Sequence, residues 1–208
     1  MNHRQRPGAG GRPPPLRKIR LLLVSVVTAL GLVLGAFGAS PAQAAATSKS
    51  LAVPTIKQIN TEWCWAASAQ MLAMYNGHSS ANQCDIVKAT LGLTTCPNQA
   101  ATEAQTRSAL TKAGLSWAYS SSPLTFPTIK LQIDASKAME YVYAYKNGSG
   151  EHAVVIVAYW QDPTFAPPED QYVYWNDPLD QLKKSGTMNY LASNPVWYGG
   201  FYVYNIVG

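Results

Sequence analysis

The chain has 208 residues, 47% of them hydrophobic, which suits one compact core rather than two. Its formal net charge of +5 would invite an anionic partner, but six of the 16 Lys and Arg precede residue 21 and all 11 Asp and Glu follow residue 61. Residues 45–208 therefore carry ten cations against 11 anions, a net of −1, and nucleic acid and acidic membrane surfaces lose their support as partners.

The N-terminus reads as an export signal. A basic stretch ending at Arg20 precedes the uncharged run Leu21–Gly38, and Ala42 and Ala44 supply the small residues a signal peptidase accepts. Cleavage is expected after Ala44, which makes 1–44 a signal peptide of bacterial style and 45–208 a secreted domain. The rival is an uncleaved anchor, since the apolar run reaches the roughly 18 residues needed to span a bilayer. Gly31, Gly35 and Gly38 favour cleavage. Either way the domain lies outside the cytoplasm, where cysteines usually pair, and removal of the signal leaves it no membrane attachment.

Trp63, Ala67, Met71 and Tyr75 recur at helical spacing behind the cap-type residues Asn60 and Thr61, and Gly77 stops the run. His78 follows in the polar stretch GHSSANQ and is expected at the surface. Cys84 and Cys96 flank a short segment with Gly and Thr and can close a loop as a disulfide. A metal would need more ligands than His78 nearby, so neither metal nor cofactor is expected. A second helix is expected over Thr102–Ala113, with Gly114 as its stop. Then the pattern changes. Met139–Tyr145, His152–Trp160, Gln171–Asn176 and Trp197–Ile206 are rich in Val, Ile, Tyr and Trp and read as strands. Asn147-Gly148-Ser149-Gly150 turns between the first two, and the Pro-rich Gln161–Asp170 connects the next two. Helices first and an antiparallel sheet second define an α+β domain.

With Cys84 and Cys96 paired, Cys64 is the odd thiol, and an odd thiol in an exported protein is a candidate for reactivity. It sits in Gln58-Ile59-Asn60-Thr61-Glu62-Trp63-Cys64-Trp65-Ala66, in the opening turn of the first helix. Outward N–H groups and the helix dipole there favour an anion, and so the nucleophilic thiolate. Of the two histidines after the leader, His152 opens an apolar strand directly behind the Gly-rich turn and is well placed as a base. One strand later, Asn176-Asp177-Pro178 offers two side chains able to hold an imidazole in one tautomer. Strand alternation lets only one of them face His152, and pairing across Gln161–Asp170 brings them near it. Taken singly, a structural cysteine among Trp and Ala, a core histidine and an Asn-Asp-Pro turn are all ordinary. Together they argue for chemistry.

The order Q-x5-C-W-A, H-A-V-V-I-V, N-D-P resembles that of the papain-like cysteine peptidases, most of all the compact bacterial C39-like and AvrRpt2-like branch, from Pro54 to the C-terminus. The resemblance implies the papain-like fold, with a helical half carrying the Cys and an antiparallel sheet carrying His and Asp. It implies Cys64 as nucleophile, His152 as general base and then general acid, and Asp177 rather than Asn176 orienting the imidazole. Gln58 would be the side-chain donor of the oxyanion hole beside the Cys64 N–H, for an oxyanion that exists only in the transition state, so its loss should lower turnover far more than stability. The substrate would be a polypeptide. Two departures stand out: Thr61-Glu62-Trp63 replaces the C-G-[SA] that precedes the nucleophile in papain and the cathepsins, and Cys64 and His152 are 88 positions apart, short of that branch's roughly 130–150. Two rivals remain open. One is a cell-wall amidase with the same Cys-His chemistry. The other is a silent surface module binding through Trp63, Trp65, Trp197 and the C-terminal tyrosines.

Overall fold

In the computed structural model, which describes residues 45–208, the first helix runs over Cys64–Tyr75 (α1). Eight of its twelve residues are buried. Small and apolar side chains all round its circumference make it a core helix rather than an amphipathic surface one. Asn60 and Thr61 do not cap it. They lie in a turn one step earlier, where the Trp63 N–H donates to the Asn60 carbonyl at 3.2 Å, and Trp63 occupies the N-cap without a side-chain bond. At the other end Gly77 takes φ 95°, and the N–H groups of Gly77 and His78 return to the carbonyls of Met74 and Ala73. That is the closure a left-handed glycine permits. His78 is half-buried rather than on open surface: its ring packs so close to Gly114 that a Cβ there would lie 2.9 Å away.

The segment between the paired cysteines contains an unforeseen helix, α2 (Gln83–Leu91), capped by the Asn82 side chain on the Asp85 N–H and ended by Gly92 at φ 69°. The expected second helix is α3 (Glu103–Lys112), started by a capping box between Thr102 and Gln105. Cys84 on α2 is bonded to Cys96 in the α2–α3 loop, a closure that contributes roughly 3 kcal/mol in the chain-entropy model. A further helix, α4 (Phe126–Asp134), starts with Thr125 as cap and Pro127 in its first turn.

The remaining elements form one antiparallel seven-stranded sheet. Its strands are β1 (Thr47–Ser50), β2 (Ser116–Ser120), β3 (Met139–Tyr145), β4 (Glu151–Gln161), β5 (Gln171–Asp177), β6 (Leu182–Thr187) and β7 (Trp197–Val207), with the short α5 (Met188–Ala192) between the last two. The order is β2-β7-β3-β4-β5-β6, and β1 also pairs with β4. The central β4 gives one edge to β3 over its first half and to β1 over its last four residues, while the other edge takes β5. Its interior is continuously apolar because both faces are covered. Asn147–Gly150 closes the β3–β4 hairpin, with Gly148 and Gly150 at positive φ.

The stretch after β1 is sewn along the sheet toward the helix start. Leu51 N–H donates to Val157 O, Asn176 Nδ2 to Val53 O, Gln181 Nε2 to Thr55 O, and Gln58 N–H to Pro178 O. Among the described residues no helix is long and apolar enough to cross a membrane. The expected signal peptide, 1–44, lies outside the described residues.

Candidate active site

Cys64 begins α1, so its position is set by whatever fixes the helix start. Three contacts do this from the loop behind the disulfide. Trp63 Nε1 donates to Pro97 O, Trp65 Nε1 to Gln99 O, and the Glu62 N–H to the Asn98 side chain at 2.9 Å. Both tryptophans are only 2% exposed. They are anchors of the thiol rather than a docking surface, and Trp197 is likewise taken, stacked on Tyr143 with ring centroids 4.6 Å apart. The binding-module alternative loses those aromatics. The N-cap Trp63 makes no side-chain bond to the first turn of α1, the turn that carries the thiol.

His152 stands at the start of β4 and Asp177 at the end of β5, which the antiparallel register brings together. His152 Nε2 lies 2.8 Å from Asp177 Oδ1, and Cys64 is close enough to the same imidazole to help raise its pKa. With Nε2 committed to Asp177, the ring nitrogen left for sulfur is Nδ1. Tyr143 meets the ring in a T-shaped contact at 5.5 Å, and Tyr145 lies 6.5 Å away. Asn176 turns from the histidine and donates to Val53 O and Pro54 O.

The electrostatics follow from that geometry. Burial, the largest influence on His152, opposes its charge, yet the hydrogen bonds and negative charge of Asp177 and Cys64 outweigh it and raise the imidazole to about 9. Asp177 is 2% exposed, and burial alone would raise it. Donation from His152, Lys184 and the Leu179 N–H instead holds it down to about 2.

Gln58 reaches the same cleft, which has a volume of about 430 Å³ and is also lined by Trp65, Tyr145 and His152. Its amide is not idle. Nε2 donates to Asn60 O at 3.0 Å and Thr61 O at 2.7 Å, and Oε1 has no partner. Both amide hydrogens thus hold the turn ahead of Cys64, so beside the oxyanion role expected of it the side chain also builds the loop.

Four participants escaped sequence reading. Lys184 bonds the second oxygen of Asp177, Asn98 ties down the Glu62 N–H, and Gln83 bonds the Ile59 N–H and Lys57 O. Glu140 on β3 is fully buried, and neither of its carboxyl oxygens has a protein donor. Burial first, and the nearby charge of Cys64 second, push its carboxyl well above the usual range. None has a local signature: a lysine in a polar strand, or a Gln inside a helix, becomes legible only once the partner across the fold is known. Among the described residues no group of three or more His, Cys, Asp or Glu side chains is arranged to hold a metal ion.

A helix carrying a free thiol against an antiparallel sheet carrying a buried His–Asp pair is an arrangement of the papain-like cysteine peptidase class. The model of the Peptidase C39-like family matches residues 50–199, most of the chain, and the chain belongs to that family. At the family level it is a peptidase-type hydrolase. No curated protein matches it.

Proposed function

We propose that the protein is a secreted cysteine peptidase in which Cys64, His152 and Asp177 form the catalytic set and a polypeptide is the substrate. The observation that carries the reading is the 2.8 Å contact between His152 Nε2 and Asp177 Oδ1, with Cys64 and His152 lining one cleft. The thiolate attacks the scissile carbonyl carbon, and the electron pair of the C=O bond moves to oxygen. That oxyanion is met by the Cys64 N–H and by Gln58, which releases its longer bond, to Asn60 O, to offer a hydrogen. Imidazolium Nδ1–H protonates the departing amine and leaves a thioester. Water then attacks the thioester while His152 takes its proton, and the thiolate departs with the acid product. Asp177 keeps the ring in one tautomer and stabilises its charge throughout.

Cleavage profiling on a peptide library and on purified peptidoglycan, with Cys64→Ala as control, tests this. Turnover of ordinary peptides that vanishes with Cys64→Ala is expected. Cutting confined to peptidoglycan would move the protein to the amidases, and turnover surviving in Cys64→Ala would remove the nucleophile assignment.

A further inference from the structure

The carboxylate that holds His152 is itself held. Asp177 is nearly inaccessible, yet each of its oxygens is satisfied: Oδ1 accepts from His152 and from the Leu179 N–H at 2.9 Å, and Oδ2 accepts from Lys184 Nζ at 2.8 Å. Lys184 is tethered in turn by Asp180 Oδ2, also at 2.8 Å. The register explains why this lysine and not its neighbour does so. Asp177 pairs with Leu182, so Lys184 is its diagonal neighbour on the same face of β5 and β6. Lys183 points to the opposite face, toward Ser50. Among the described residues no other cation bonds Asp177.

We propose that Lys184 is a positioning residue, which keeps Asp177 Oδ1 on His152 by occupying Oδ2. Its part in catalysis rests on the reading of Cys64, His152 and Asp177 given above. A buried carboxylate with one oxygen left bare either takes up a proton or turns toward water. Both outcomes withdraw it from the imidazole. The groups that face this pair are Cys64 from α1, Tyr143 and Tyr145 from β3, and Lys184 with Asp180 from β6 and the turn before it. The tyrosine hydroxyls are raised by burial and stay neutral through the working range, so Lys184 is the one positive charge available to Asp177 besides His152 itself. Lys184 keeps its proton more firmly than an ordinary lysine, because the pull of Asp177 and Asp180 exceeds the cost of its partial burial.

The test follows the imidazole directly. Histidine titration by NMR on the purified protein gives a His152 midpoint, with His78 as internal reference, and kcat/KM against pH is measured on the same samples. In Lys184→Met the His152 midpoint should fall by about one unit or more, and the active pH range should narrow at both ends. Lys184→Arg, which can bond both carboxylates, should restore both readouts. If Lys184→Met does not fold, Lys184→Gln, with a donor but no charge, carries the same test and should show a smaller fall. An unchanged His152 midpoint would overturn the proposal, and so would a raised one, which would mean that Lys184 only repels the imidazolium. A Lys184-dependent titration in a protein that cuts no peptide sinks the peptidase reading alone. Peptide turnover with a titration indifferent to Lys184 sinks this one alone.

Discussion

Glu140→Gln isolates the ionisation of a carboxyl that the fold gives nothing to bond. The folded side chain is wholly buried with both oxygens bare, and it keeps its proton well above the usual range. In the unfolded chain it ionises near 4.5. Between those two points the unfolded state has released a proton that the folded state still binds, so unfolding gains about 1.4 kcal/mol per pH unit. The sign is that of a raised acid: its penalty is absent below about 4.5 and grows as pH rises, until the folded carboxyl itself ionises. Glutamine keeps the shape and has no proton to lose. The stability of the variant relative to wild type should therefore rise by about 1.4 kcal/mol per pH unit above that point and then level off. Urea unfolding every half unit, with the disulfide intact, measures the difference, in which all other titrating groups cancel. A difference that is flat with pH would refute the argument, since it would mean that Glu140 finds the same solvation folded as unfolded.

Two further substitutions separate roles at the site. Asp177→Ala should lower kcat/KM by about 10²–10⁴ and draw the alkaline limit of activity down from about 9 toward the ordinary imidazole value of 6.5, as a pH profile would show. In stability, the Asp177 contribution is in place above about 3.8 and is lost as pH falls through about 2. Asn176→Ala should leave the rate nearly intact but lower unfolding free energy by about 1–3 kcal/mol, because it strips the donor from Val53 O. A damaging Asn176→Ala with a mild Asp177→Ala would reverse the assignment. Gln58→Ala should lower kcat by about 10²–10³ and also cost about 1–2 kcal/mol of stability, since the carbonyls of Asn60 and Thr61 lose their donor. Kinetics and a thermal melt on one preparation decide whether both losses occur.

The strands that were legible in the sequence are those whose burial is two-sided or whose turns are marked. Met139–Tyr145 has the same bounds in both, and β4 and β5 differ from expectation only at their ends, because Val-, Ile- and Tyr-rich runs between Gly-rich and Pro-rich turns leave few alternatives. The edge strands β2 and β6 were not legible. SWAYS is short, and LKKSGT carries no apolar alternation, since an edge packs on one neighbour only and tolerates polar side chains. The α2 helix does carry signals, Asn82 three residues before Asp85 and Gly92 at its end, but a short segment between paired cysteines is equally compatible with a closed loop. At the candidate site, the residues proposed for the chemistry are readable because each is scarce: one odd thiol and one histidine at a strand mouth. What holds them is not. Lys184, Asn98 and Gln83 act through register and distance across the fold, which no local pattern encodes.

The seam from β1 to Gln58 limits how far this chain tolerates trimming from its amino-terminal side. Each stitch, from Leu51 on Val157 to Gln58 on Pro178, leads from the far end of β4 to the loop that sets the nucleophile. A cut ahead of Thr47 would leave every stitch in place. Trimming past Ser50 would unpick the seam from its free end, four residues of β1 first, and slacken the turn that Gln58 braces. An exopeptidase nibbling from the amino terminus would thus disarm the thiol from a distance, without ever entering the cleft.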